Sequence, residues 1–481
     1  MLLCLNAFVS LTRKIAHNTA YQIVGKIIST FFGLVAIGMM TRYLGQEQFG
    51  WYITTITFLQ FIGILVDFGL TPVTASMLGE NQIEEQKLFK NLLGFRFATA
   101  VVFLGIMPFT ALLFPYPPEV KIAITFTSIS FIAIAMNQVL VGFYQHKLKM
   151  HIQAIGEVVG RIVLVVGLWL LIKNGETFLP IMGIVTLASV SYMLVLILRA
   201  HRESPVKLGF DWDIWKKIMT KMWPITVSII FNVVYLKGDT LLLTLFTTQT
   251  EVGMYGAAYR VIDILAQTAM MIMGVMLPLL AYAWSRHMQD EFRHRYQMSF
   301  DAMMLLAIPM MVGTIMLAQK IMILIAGEEF ATSGKPLQIL ALAVFGVFVG
   351  GIFGHVAVAI DKQKQTMWIY ISDAIITLIG YLIFIPKFGM YGAAWMTVFS
   401  ELYAGILLFF VIRHYIKIKL EIKTFGKIIL SGICMGSILF LFQHIHIILL
   451  IIVGMISYSL AIIGTQAISR KTIREIISIR Q

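Results

Sequence analysis

The stretch from Thr41 to Met77 decides the fold: TRYLGQEQFGWY (41–52) leads into an apolar run that ends in DFGLTPVTASM (67–77). The run is long enough to cross a membrane as a helix, which needs about 20 apolar residues. Its polar residues recur at helical steps and share one face: Thr57, Gln60, Asp67, Thr71 and Thr74. A charge that faces lipid is unfavourable, so the polar face and the embedded carboxylate of this helix should face other helices or water. The helix is therefore expected to do more than anchor the chain in the membrane.

The composition of the whole chain predicts an integral membrane protein. Of 481 residues, 59% are hydrophobic and 13% are charged, whereas soluble domains carry about 25% charged residues. The formal net charge of +13 is typical of basic cytoplasmic loops, and no basic stretch lies on a soluble module, so nucleic acid is not an expected partner. Two distant cysteines, Cys4 and Cys434, favour neither a disulfide framework nor a metal site.

Apolar segments follow one another and predict about fourteen transmembrane helices. We place them at 17–40, 50–77, 89–114, 119–143, 152–172, 178–198, 222–246, 252–283, 298–325, 336–360, 366–386, 390–412, 427–443 and 446–467. The stretch before them, MLLCLNAFVSLTRK (1–14), has its positive charges after the apolar run, which predicts an interfacial helix and not a secretory signal. Most Lys and Arg residues fall on loops of one side, so both termini are expected to be cytoplasmic, in a multi-pass protein of the cytoplasmic membrane.

The long polar linker Arg199–Lys221 follows the sixth predicted helix and separates the first six helices from a second set of six, after which two more helices remain. Duplicated halves are a common construction of transporters. We therefore predict an N-terminal lobe with the linker (1–221), a C-terminal lobe (222–417), and two additional helices with a cytoplasmic tail (418–481).

An internal repeat supports this division. Residues of the two halves match at one constant offset: Gly50 with Gly253, Tyr52 with Tyr255, Gln60 with Asp263, and Thr57 with Arg260. The hexapeptide GMYGAA occurs at 253–258 and again at 389–394. We interpret it as tight packing at the start of a helix, because small residues let backbones approach.

Charges inside the predicted spans indicate a water-filled cavity between the halves, since a central charge costs ~2.5–3.5 kcal/mol on insertion scales. The candidate substrate-binding cations are Lys26, Arg96, Arg161, Lys237 and Arg260. The candidates for polar lining or ion coupling are Gln60, Asp67, Glu157, Asn232, Asp239, Asp263 and Gln267. A cationic lining suits an anionic headgroup, above all phosphate, which Arg binds through paired N–H donors.

Some of these residues have a structural alternative. The pairs Glu157/Arg161 and Arg260/Asp263 have the spacing of intrahelical ion pairs. Arg96 lies near the predicted start of its span, from which a long side chain is able to reach the membrane surface. Both interpretations stay open on the sequence alone.

Several segments resemble the Wzx-type oligosaccharide flippases of the MOP superfamily, to which the MATE drug exporters and the lipid II flippase also belong. They are TRYLGQEQFGWY with DFGL, EVGMYGAAYRVID (251–263) and PKFGMYGAAWMTVFSE (386–401). The resemblance implies a V-shaped bundle of two pseudo-symmetric lobes that alternates between inward-open and outward-open states. It also implies that Arg42, which matches the family's arginine at the outer turn, is a gate or packing residue.

The implied cargo is an oligosaccharide linked by pyrophosphate to a polyprenyl lipid, for surface polysaccharide such as O-antigen lipopolysaccharide, capsule or exopolysaccharide. Membrane lipids, a polysaccharide polymerase and other assembly proteins are the candidate partners. The segment Gly327–Lys335 has the wrong spacing for a phosphate-binding loop, so neither ATP hydrolysis nor a cofactor is expected, and the chain is not expected to be an enzyme.

Three rival functions remain. A MATE-like multidrug or cation antiporter shares the implied fold. A membrane glycosyltransferase or polymerase usually needs a large outer loop, whereas the longest polar segment here is on the predicted inner side. A non-transporting scaffold leaves the charges inside the membrane without a purpose.

Overall fold

The computed structural model describes residues 2–67, 70–80 and 83–467, without the side chains of 2–20, 23, 62, 64–67, 72 and 224–236. Over these residues the chain forms thirteen α-helices, one 3-10 helix and no strand. The α-helices are α1 (Leu2–Asp67), α2 (Leu70–Gly79), α3 (Glu85–Leu112), α4 (Pro118–His146), α5 (Met150–Lys173), α6 (Phe178–His201), α7 (Trp212–Phe246), α8 (Gln249–Ser285), α9 (Gln289–Ala326), α10 (Gly334–Ala359), α11 (Gln363–Ile416), α12 (Ile422–Leu441) and α13 (Ile447–Gly464), and the 3-10 helix is Glu328–Ser333.

Within these ranges, eleven helical segments are long and apolar enough to cross a membrane. Helix α11 contains both predicted spans 366–386 and 390–412, which are joined at Gly389 (φ 55°). Helix α1 contains the predicted span 17–40 and, after Gly45 (φ 67°), residues 50–67 of the predicted span 50–77, whose remaining described residues lie in α2. A positive φ favours glycine, which lacks a Cβ. A further predicted span, 222–246, belongs to α7, whose central side chains lie outside the description. The predicted all-α membrane fold is confirmed.

Local sequence explains several helix ends. Pro118 occupies the first turn of α4, where its missing N–H is not needed. The Asp211 carboxylate caps α7 by accepting hydrogen bonds from the backbone N–H groups of Asp213 (3.1 Å) and Ile214 (3.4 Å).

The chain divides into two compact units, Met1–Gly253 and Met254–Gln481. In the first unit, α7 packs against α1 and α3. An apolar core joins α3 and α4, where Phe89 stacks on Phe143 with ring centroids 4.5 Å apart. The predicted boundaries at 221 and 417 stay a prediction.

In the second unit, α10 packs against both α9 and α11. The predicted additional helices, α12 and α13, pack on α9. Gly432 of α12 faces the Ile308 side chain, and the Tyr458 hydroxyl of α13 donates to the Leu305 carbonyl oxygen (2.9 Å). Lys320 of α9 donates to the carbonyl oxygen of Ile445, between α12 and α13 (2.7 Å). The additional pair is therefore fixed to α9 by both packing and hydrogen bonds.

Candidate functional site

Helix α1 packs along α5 through a stripe of small residues. Small residues recur every four positions, at Gly25, Ser29 and Gly33. This spacing lets two membrane helices approach closely. A Cβ placed on Gly25 would lie only 2.5 Å from the Cβ of Ala154 on α5. The close approach brings the polar residues that follow on both helices into contact.

Glu157 of α5 bonds across this interface to α1. Its Oε1 accepts a hydrogen bond from the Ser29 hydroxyl (2.9 Å) and lies 3.6 Å from Lys26 Nζ. Ser29 is buried, whereas 46% of the Lys26 side chain and 22% of the Glu157 side chain are exposed. The structure thus pairs Glu157 with α1, and not with Arg161 one turn later on its own helix.

Arg161 lies over Gly33 of α1. A Cβ placed on Gly33 would be 3.7 Å from Arg161 Cζ and 3.8 Å from its Nη1. None of the described side chains forms a salt bridge with Arg161. Lys26, Glu157 and Arg161 therefore combine two cations with one carboxylate, and we name them the α1–α5 charge group. Their one excess positive charge makes them the candidate contact for an anion.

Arg96, another predicted substrate contact, is buried between α3 and α4. Its side chain is 1% exposed, its Nε donates to the Ala135 carbonyl oxygen (3.1 Å), and its Nη2 donates to Gln138 Oε1. Helix α3 begins at Glu85, earlier than the sequence predicts, so Arg96 lies about three turns inside the helix. It bonds to α4 and does not reach out to the membrane surface. A contact with substrate stays a prediction.

Arg260 and Asp263 pair within α8, as their spacing favoured. Arg260 Nη1 lies 3.5 Å from Asp263 Oδ2, and both side chains are 30% exposed. Gln267 Nε2 donates to the Asp263 backbone carbonyl oxygen (3.2 Å). These three predicted residues therefore share one face of α8, and their roles in binding or coupling stay predictions.

Two further predicted residues have local partners. Arg42 is exposed and donates from Nη1 to the Gly38 carbonyl oxygen one turn earlier (3.1 Å). Asp239 is 1% exposed and accepts hydrogen bonds from the backbone N–H and the hydroxyl of Thr240 (2.5 and 3.1 Å). The gate role of Arg42 and the coupling role of Asp239 stay predictions.

The remaining predicted residues lie away from the α1–α5 charge group in sequence. Lys237 and Gln60 are half-buried. The side chains of Asp67 and Asn232 lie outside the described residues. For all four, a contact with substrate or a coupling ion stays a prediction.

The glycines that the internal repeat matches, Gly50 and Gly253, lie where two backbones cross. A Cβ on Gly50 would overlap the Gln249 carbonyl oxygen, and a Cβ on Gly253 would overlap the Gln46 carbonyl oxygen. The offset from Gln46 to Gln249 equals that from Gly50 to Gly253. The contact is therefore reciprocal, as in an interface with two-fold symmetry, and the sequence match corresponds to a local structural repeat.

The repeated GMYGAA segment packs tightly where it begins the second half of α11. A Cβ on Gly392 would overlap the Phe384 carbonyl oxygen, and Ala393 and Ala394 are fully buried. In the first copy, Tyr255 is fully buried and its hydroxyl lies 3.3 Å from Thr397 Oγ1. These contacts confirm the interpretation of the segment as a packing motif.

One buried carboxylate has no role in the predicted site. Asp373 of α11 is 0% exposed and accepts hydrogen bonds from the Thr377 hydroxyl (3.0 Å) and the Ser400 hydroxyl (3.3 Å). The spacing of Asp373 and Thr377, four residues apart, was visible in the sequence. Ser400 reaches Asp373 because α11 bends back at Gly389. The second hydroxyl donor to this carboxylate could therefore not be predicted from the sequence.

Comparison with known proteins agrees with a transport protein and not an enzyme. Residues 15–284 match the model of the family described as polysaccharide biosynthesis protein. The probable low-salt glycan biosynthesis flippase Agl15 of Haloferax volcanii is 22% identical over 432 residues, which cover 89% of this chain and 90% of that protein.

Two solved structures have a similar fold. The lipid II flippase MurJ, in an inward closed conformation, gives a TM-score of 0.77 at 17% identity and covers 95% of this chain and 99% of its own. An inward-facing multidrug resistance MATE transporter of the MOP superfamily gives 0.69 at 13% identity and covers 81% of this chain and 94% of its own. Since the family model matches more than half of the chain, the protein belongs to the polysaccharide biosynthesis protein family and has the fold of the MOP-superfamily transporters.

Proposed function

We propose that the protein is a flippase that moves polyprenyl-pyrophosphate-linked oligosaccharides across the cytoplasmic membrane by alternating access. The observation that carries this proposal is the α1–α5 charge group, in which Lys26 and Arg161 outnumber Glu157. An excess cation within apolar, membrane-length helices is unfavourable unless water or an anion meets it. A phosphate group suits such a site because it accepts several charge-assisted hydrogen bonds at once.

The three side chains of the group have different tasks in this proposal. Lys26 is half exposed and provides a compact charge that is able to follow a moving headgroup. Arg161 offers paired N–H donors for two phosphate oxygens. Glu157 holds Lys26 near α5 and reduces the net charge, which keeps the headgroup from binding too tightly to be released.

The relatives support the class of cargo. Agl15 is named as a glycan biosynthesis flippase and MurJ as a lipid II flippase, and both names describe translocation linked to glycans or lipids. We propose the same for this chain, with Arg260, Lys237 and Arg96 as further candidate contacts. The flipped product would pass to a polysaccharide polymerase and other assembly proteins, for O-antigen, capsule or exopolysaccharide. In this proposal both termini are in the cytoplasm.

Ion coupling is proposed through one or more of the carboxylates Asp67, Glu157, Asp239 and Asp263. Each of these carboxylates lies on a helix that also carries a candidate cargo contact. We expect at least one amide replacement among the four to make export insensitive to collapse of the proton or the sodium gradient. Export by the wild-type protein that persists unchanged when both gradients are collapsed would exclude coupling to these ions.

The proposed function is tested by complementation in a host that lacks its own oligosaccharide flippase. The double variant Lys26→Gln/Arg161→Gln removes both cations. The matched control Lys121→Gln/Lys173→Gln removes two cations outside the group, one in α4 and one at the C-terminal end of α5, where Lys173 lies over the Trp169 ring (5.4 Å). We expect the wild type and the control to restore surface polysaccharide, and the double variant to lose about tenfold or more at equal membrane abundance.

A parallel drug-efflux assay separates the main rival. Resistance to toxic cations without restored polysaccharide would favour a MATE-like antiporter. Full surface polysaccharide from the double variant would contradict the role of the α1–α5 charge group.

A further inference from the structure

A second cationic site lies apart from the α1–α5 charge group, where the start of α5 meets the end of α6. A pocket of about 340 Å³ opens there, within the range of small-molecule sites, about 300–1,000 Å³. Its lining includes Lys149, Ile155, Val195, Arg199, Arg202 and Glu203. It shares no residue with the charge group.

The pocket carries an excess of positive charge at its mouth. Its single carboxylate, Glu203, is already paired with Lys149, with 2.9 Å between Oε1 and Nζ. Arg199 and Arg202 are exposed, and no described side chain forms a salt bridge with either of them. Two guanidinium groups are therefore available to an anion, and guanidinium favours phosphate through paired hydrogen bonds.

The wall of the pocket on the membrane side is apolar. Ile155 lies one helical turn beyond His151 on α5, and 53% of it is exposed. On α6, Val195 lies one turn before Arg199, beside Leu194 and Leu198, which are 48% and 66% exposed. Charged groups thus stand at the helix ends, and exposed aliphatic groups follow toward the middle of the helices. This is the polarity of a phospholipid at a membrane surface, with its headgroup outside and its chains inside.

We propose that this pocket binds the phosphate headgroup of an anionic membrane phospholipid, with an acyl chain along Ile155 and Val195. Arg199 and Arg202 contact the phosphate, and the ion pair between Lys149 and Glu203 forms one side of the pocket. Because the site joins α5 to α6, an occupying lipid stabilises the position of the helix that carries Glu157 and Arg161. The lipid is a ligand distinct from the transported cargo.

The first test counts lipids retained by the full-length protein in native mass spectrometry after titration with phosphatidylglycerol or phosphatidylcholine. We expect Arg199→Gln/Arg202→Gln to weaken retention of phosphatidylglycerol about tenfold or more. Retention of phosphatidylcholine should not change. Arg286→Gln/Arg293→Gln removes two exposed cations outside the pocket, directly after α8 (where Arg286 lies against the Tyr282 ring) and in α9, and is the matched control for charge that keeps wild-type retention. Equal retention by the double variant, or equal retention of both lipids by the wild type, would overturn the proposal.

Two further measurements keep the test independent of variant folding. Photoactivatable phosphatidylglycerol on the wild-type protein is expected to label peptides within 149–155 and 195–203. Labelling only elsewhere would contradict the site. Inorganic phosphate is expected not to displace the lipid, and displacement would identify a site for free anions instead.

Discussion

Arg161 lies over Gly33, with its guanidinium carbon 3.7 Å from the position that a Cβ on Gly33 would occupy. A glycine at this point of α1 leaves room for the guanidinium plane beside the helix. The distance is one of ordinary van der Waals contact, so a single methyl group fits and a longer side chain does not. The position of the Arg161 guanidinium, which we propose binds phosphate, therefore depends on Gly33, an uncharged residue.

This relationship predicts a graded effect at Gly33. We expect Gly33→Ala to support export at the wild-type level, because its Cβ contacts Arg161 without displacing it. Gly33→Leu fills the space of the guanidinium group and is expected to reduce export about tenfold or more, at equal protein abundance. Surface polysaccharide is the measurement. Equal export by the two variants would show that the position of Arg161 is unimportant.

Arg96 and Arg161 are expected to differ in their effect on stability. Arg96→Ala removes the donor to the Gln138 side-chain oxygen and a second donor to the Ala135 carbonyl oxygen, so it should lower the free energy of unfolding by about 1–3 kcal/mol. Arg161→Ala removes no hydrogen bond between described residues and should cost less than about 1 kcal/mol. Thermal unfolding of the purified proteins measures both. A larger loss from Arg161→Ala than from Arg96→Ala would reverse these assignments.

The reciprocal crossing of the two backbones predicts that Gly50 and Gly253 are equally sensitive to replacement by alanine. Gly50→Ala and Gly253→Ala each force a Cβ against a carbonyl oxygen, and we expect each to destabilise the protein by about 1–3 kcal/mol. Gly183→Ala in α6 is the control, since nothing lies within 4 Å of its Cβ position. It should be neutral or slightly stabilising. Tolerance of alanine at either Gly50 or Gly253 would contradict the tight crossing.

Asp211 links stability to pH. Its carboxylate caps α7 and lies 2.9 Å from Lys87 Nζ, and the hydrogen bond from Lys87 lowers the pKa of Asp211 below its ordinary value of 3.8. The folded state therefore gains stability above the unfolded-state pKa and loses it as the pH falls through the folded-state pKa.

We expect the thermal midpoint of the wild type to decrease as the pH falls below 3.8. Asp211→Asn keeps a capping oxygen and should make this decrease shallower. Midpoints measured across the acid range test the prediction. Parallel curves for the two proteins would show that this carboxylate does not contribute to the pH dependence.

The sequence predicted the helical class and most spans because hydrophobic length is a property of single segments. It also predicted the repeat at Gly50 and Gly253, since both copies keep the same small residue. It could not choose the partner of Glu157, because the approach of α1 through Gly25 and Ser29 depends on tertiary packing. The burial of Arg96 was missed for a local reason: α3 begins at Glu85, in a polar stretch that hydropathy alone does not assign to a helix.

Flipping of a polyprenyl-pyrophosphate-linked oligosaccharide by the purified protein in proteoliposomes measures directly whether Lys26 and Arg161 carry the cargo. We compare the wild type, Lys26→Gln/Arg161→Gln, and the charge-preserving Lys26→Arg/Arg161→Lys. We expect the wild type to flip the lipid, the neutral variant to be slower by about tenfold or more, and the charge-preserving variant to retain measurable flipping. Equal rates for the wild type and the neutral variant would contradict this role of Lys26 and Arg161.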